Sequence, residues 1–96
     1  MKRVVKIPFP TDPLVAGPET LGKAVRSSRT EQGLTIEEAA MTIGVAKQTL
    51  SDIEAGKSTV SLGIVLKVAT ELGVSLFVAP ARERERIQSL ICGMSK

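Results

Sequence analysis

Ninety-six residues build one compact domain and little more, which excludes a substrate cleft buried between two domains. Phe9 and Phe77 are the only aromatic residues, so the core must be aliphatic, and single-strand recognition by stacking lacks the side chains it needs. One cysteine, Cys92, and no histidine exclude an intramolecular disulfide, a thiol–imidazole pair and a zinc site; no metal or cofactor is expected, and a reducing, cytoplasmic setting fits.

No apolar run reaches the roughly 18 residues of a membrane span. The opening MKRVVKIPFP lacks the apolar length and the cleavage signal of a secretory leader. The net charge of +3 is unevenly placed: +4 over residues 1–29, −4 over 30–56 and +3 over 57–96. If nucleic acid is bound, its phosphates must be held by selected basic residues flanking an acidic middle.

Residues 1–18 hold all but one of the prolines and read as an arm, extended and irregular after a short strand at Arg3 to Ile7. Lys2, Arg3 and Lys6 read as a basic start, with an arm reaching a DNA minor groove as the alternative. A first helix is expected from about Thr20 to Gln32, with Leu21, Ala24, Val25 and Ser28 on one face and Gly33 as its stop. Thr35-Ile36-Glu37-Glu38 has the form of a capping box and predicts a helix over Ile36 to Ile43. Gly44 falls where a left-handed residue is wanted, and a third helix follows over Lys47 to Glu54, ended by Gly56. Ser61 can cap a fourth, Leu62 to Leu72, whose Ile64, Val65, Val68, Ala69 and Leu72 repeat at three and four.

At Val74 to Ala79 the period changes to two in VSLFVA, which predicts a strand. A lone strand needs a partner, either the N-terminal strand or a second copy of itself across a dimer axis. Residues 81–96 read as a short helix with alternating charges or as a frayed tail. Arg82, Arg84 and Arg86 suit a solvated face, and Cys92 lacks the cationic neighbours that would make it reactive.

The small residues Ala39 and Ala40 face the third helix and let the two axes cross closely, while Gly44 permits the sharp turn between them. Ile43, Val45, Leu50 and Ile53 supply the apolar contacts that hold the crossing. Helix, glycine-containing turn, helix is the arrangement whose second helix enters the major groove.

The stretch Leu21 to Leu76 carries GLT, AA, IGV, TLSDIEAGK and ELGVSL in that order. In this it resembles the lambda-repressor-like domain of the XRE/Cro regulators. The ending LGVSLFVAP is similar to the HipB-type antitoxins. The resemblance implies an all-α helix-turn-helix domain of four to five helices over residues 19–80, with a dimerisation strand at 74–79 formed by Val74, Leu76, Phe77 and Val78. It also implies that Lys47, Gln48, Ser51 and Asp52 read base edges, a task that suits lysine on guanine and glutamine on adenine. Arg29, Thr35, Thr49, Lys57 and Ser58 match positions that contact phosphate, and Arg29 with Glu54 matches a pair tying the first helix to the third. Backbone amides at Ile36 add a weak anion site. The chain departs from the family at Ile36, at Ala46, which replaces a polar cap at ~1 kcal/mol, and at Gly63 in the fourth helix.

The function this implies is a dimeric, sequence-specific repressor on a palindromic operator, of the kind in which a HipB-like antitoxin represses its own operon and binds a HipA-like kinase toxin. Phage-type repressors and restriction-modification controller proteins share the domain. A protein-binding adaptor using the acidic middle is the alternative from another class. An enzyme is not expected, for the chain has no histidine, nucleophile elbow or P-loop.

Overall fold

The computed structural model describes residues 3–94. Lys2 of the basic start and the last two residues of the C-terminal segment lie outside them. Five α-helices follow in chain order: α1 (Pro18–Glu31), α2 (Ile36–Ile43), α3 (Lys47–Glu54), α4 (Leu62–Glu71) and, after a 3-10 turn at Ala81–Glu83, α5 (Arg84–Met94).

Proline at the first position of α1 and Glu19 in its first turn suit the free amides there, and the helix begins two residues before Thr20. α1 buries Leu21, Ala24, Val25 and Ser27; Ser28, expected on that face, is only half-buried. The capping box of α2 is complete, since Glu38 N–H donates to Thr35 Oγ1 at 3.1 Å and Thr35 N–H to Glu38 Oε1 at 2.9 Å. Gly44 ends α2 at φ +88°, a value that side chains avoid, and Val45 N–H then closes onto the Ala40 carbonyl at 3.0 Å.

α3 starts at Ala46 with no side-chain cap. Serine there would accept one of the free amides, so Ala46→Ser is expected to raise stability by about 1 kcal/mol, read as a higher urea midpoint. α4 is capped by Ser61 and tolerates Gly63 on its exposed side, where a Cβ would meet nothing within 4 Å.

The core is aliphatic throughout: Leu21, Ala24, Val25, Ala39, Ala40, Ile43, Leu50, Ile53, Val68, Ala69, Leu72 and Val74. Both phenylalanines stay outside it. α3 packs on both α1 and α2. At the α1–α3 crossing stands Gly22, where a Cβ would run into the Ile53 carbonyl oxygen and lie 2.9 Å from that of Glu54. Beside it, Arg29 Nε and Nη2 hold the Glu54 carboxylate at 2.6 and 2.9 Å, while Nη1 donates to the Leu34 carbonyl at 2.7 Å. α1 is thus fastened to the end of α3 by a close backbone approach and a buried ion pair.

Two expectations are corrected. No strand is present among the described residues, neither at Arg3 to Ile7 nor at Val74 to Ala79. Ile7 N–H, which a strand partner would have taken, donates instead to the Thr30 hydroxyl of α1 at 3.0 Å. The arm then meets α5, where Gln88 donates to Asp12 at 2.9 Å and the Cys92 thiol to the Thr11 carbonyl at 3.4 Å. With the arm occupied in this way, residues 75–79 run exposed, and no backbone hydrogen bond joins them to another described residue. A strand exists only through pairing, and the described residues offer these none. Val74, assigned above to the dimer face, is buried in the core and closes α4 through its N–H on the Ala69 carbonyl at 2.8 Å. Residues 81–94, left between helix and tail, are helical.

Candidate nucleic-acid interface

The sequence between Thr35 and Gly56 folds as helix, three-residue turn and helix. α3 turns Leu50 and Ile53 inward, where they are almost fully buried. At about 100° per residue, the opposite arc then carries Gln48, Ser51 and Asp52, with Lys47 at its edge. Lys47 and Gln48 are exposed; Ser51 and Asp52 are half-buried, and Thr49 lies half-buried on the flank. Lys57 and Ser58 follow in the exposed loop after α3.

Gln48 Nε2 donates to Asp52 Oδ1 at 2.8 Å, and Lys57 Nζ stands 3.2 Å from that same oxygen. The structure therefore joins three of the residues picked from the sequence into one chain of contacts across the outer face. Lys47 is held elsewhere, with its Nζ 3.1 Å from Glu37 Oε2 on α2. The Gln48 amide, and after it the Lys57 ammonium, keep the Asp52 carboxyl below the ordinary carboxylate range. The backbone N–H of Glu37 itself, and then Lys47, do the same for Glu37. Both groups are anions at neutral pH.

Arg29 does not join this face. Its side chain is 8% exposed, and three of its five N–H groups donate to Glu54 and Leu34, so little of it is open to a phosphate. Thr35 Oγ1 accepts the cap bond, which leaves its hydroxyl hydrogen for a ligand. Glu37 was not singled out from the sequence, because its contact with Lys47 crosses the turn and follows no local spacing rule. No group of three or more His, Cys, Asp or Glu side chains among the described residues could hold a metal, and no described helix is long and apolar enough to cross a membrane.

Two short helices with a positive-φ glycine between them, the second presenting polar side chains outward, define a helix-turn-helix unit. The chain belongs to the XRE-type helix-turn-helix family: the family described as Helix-turn-helix matches residues 25–78. The uncharacterized HTH-type transcriptional regulator y4mF of Sinorhizobium fredii (strain NBRC 101917 / NGR234) is 39% identical over 69 residues, covering 72% of this chain and 91% of y4mF. Among solved structures, a chain of the HipB-O4 20mer complex is similar with a TM-score of 0.62 at 26% identity, over 71% of this chain and 96% of that one. A chain of the HipA-HipB-O2-O3 complex is similar with a TM-score of 0.63 at 25% identity, over 71% and 96%.

Proposed function

We propose that this protein is a sequence-specific DNA-binding repressor that lays α3 in the major groove, with Lys47, Gln48, Ser51 and Asp52 on base edges and Thr35, Thr49, Lys57 and Ser58 on phosphates. The observation that carries the reading is the exposed arc of α3. Its polar side chains face solvent while Leu50 and Ile53 fix the helix from behind, so the arc is presented rigidly. Lysine is matched to guanine O6 and N7, glutamine to adenine N6 and N7, and an ionised Asp52 can accept from cytosine N4.

The repressor acts as a homodimer on a palindrome. Leu76, Phe77 and Val78 support this, since they stand 39%, 82% and 101% exposed in a segment of strand-forming residues whose backbone bonds to no other described residue. Pairing with the same segment of a second copy would supply hydrogen bonds and cover those side chains at once. Similarity to the HipB structures favours an antitoxin that represses its own operon and binds a HipA-like kinase toxin in the cytoplasm, with no catalysis of its own.

A salt-titrated mobility shift on DNA from upstream of its own gene tests this reading. Lys47→Ala with Gln48→Ala is expected to weaken binding at least tenfold, since each well-formed base contact is worth about 1–3 kcal/mol. Weak binding, equal for both proteins and lost at moderate salt, would leave α3 a scaffold and turn attention to a protein partner.

A further inference from the structure

We propose that Glu37 is a specificity-determining residue, an internal stand-in for phosphate that keeps Lys47 away from DNA of the wrong sequence; this rests on the reading of α3 as the groove helix. The Glu37 carboxylate sits between two groups that a DNA phosphate would otherwise take. One is the Lys47 ammonium, 3.1 Å away; the other is the backbone N–H of Glu37 itself, which with Lys47 holds the carboxyl below its ordinary range. Both partners of the ion pair remain open to solvent, 62% and 64% exposed, so the contact is within reach of a competing ligand. Its low pKa keeps the carboxylate charged throughout the neutral range.

Competition has a definite consequence for selectivity. Any duplex offers phosphates, and a free lysine beside a free helix terminus would bind them without regard to sequence. With Glu37 in place, a phosphate must displace a neighbouring carboxylate from Lys47 and lie close to its negative charge. A correct base edge changes this balance, because Lys47 then exchanges the carboxylate for guanine O6 and N7 in the groove while phosphates are held by other residues. Asp52 restrains Lys57 in the same manner at 3.2 Å, but it faces the groove itself, so Glu37 is the residue on which restraint and base reading separate.

The test compares the wild type, Lys47→Ala, Glu37→Gln, and Glu37→Gln combined with Lys47→Ala. Each is titrated against the upstream duplex and against an unrelated duplex of equal length, over a range of salt. Glu37→Gln is expected to tighten binding to the unrelated duplex about five- to tenfold. It should also steepen the logarithmic salt dependence by about one, the mark of one added phosphate contact. Affinity for the upstream duplex should rise less, because Lys47 leaves the carboxylate there too but no phosphate comes to lie beside it, and Lys47→Ala should abolish the gain on the unrelated duplex. An unchanged affinity for the unrelated duplex, or a gain that survives the loss of Lys47, would overturn the proposal. If instead the wild type binds both duplexes alike and Lys47→Ala affects neither, the groove reading itself fails, and the proposal with it.

Discussion

Replacing Glu54 with alanine is expected to lower the stability of the domain by about 3–5 kcal/mol, the usual cost of leaving one partner of a buried ion pair alone. The Glu54 side chain is 6% exposed and that of Arg29 8%, so water has little access to take over the lost contacts. Only the Leu34 carbonyl would still face the guanidinium, opposite Nη1, while Nε and Nη2 would lie buried without an acceptor. Against the roughly 5–15 kcal/mol that hold an ordinary domain together, this is a large fraction. Urea unfolding followed by circular dichroism would measure it. A double variant, Arg29→Met with Glu54→Leu, should lose much less than Glu54→Ala, since filling the space with apolar groups removes the desolvated charge as well. A loss under 1 kcal/mol for Glu54→Ala would mean that the pair is not buried in solution.

Gly22→Ala is expected to cost about 2–3 kcal/mol although it adds a single methyl group and improves helix propensity. The added carbon would collide with the carbonyl oxygen of Ile53 and stand 2.9 Å from that of Glu54, and both are backbone atoms at the end of α3 that cannot swing aside. α1 would have to move off α3, and the Arg29–Glu54 contacts lie in the same seam. Gly63→Ala is the matched control, because the space around that α-carbon is open and the glycine is exposed on α4. There the same substitution should stabilise by up to about 1 kcal/mol. Opposite signs for two Gly→Ala changes on helices would show that close approach of the helices, and not helix propensity, governs position 22.

Local signals account for what was legible in the chain. The capping box at Thr35 and Glu38 and the stop at Gly44 rest on contacts within five residues, the outward arc of α3 on the spacing of Leu50 and Ile53, and each lies where the pattern places it. Contacts distant in sequence were hidden. Gly22 has no neighbour within its own helix that marks it as the crossing point; its meaning comes from Ile53 and Glu54, more than thirty positions away. The arm reads as a strand because Val4, Val5 and Ile7 favour one, yet the Thr30 hydroxyl and the end of α5 take its polar groups. Val74 looked like part of the apolar segment that follows it, and the turn closing α4 carries it into the core instead. At the interface, the residue types of α3 pointed to the groove, whereas the pairing of Lys47 with Glu37 required the two helices to be set side by side.

Methylation interference on the bound upstream duplex tests the central claim most directly, because methylation at guanine N7 obstructs the major groove and methylation at adenine N3 the minor one. The account predicts interference at guanine N7 in two symmetric clusters about one helical turn, or 10–10.5 base pairs, apart, lost when Lys47 and Gln48 are replaced by alanine. Interference confined to adenine N3, or binding indifferent to methylation in either groove, would contradict placement of α3 in the major groove.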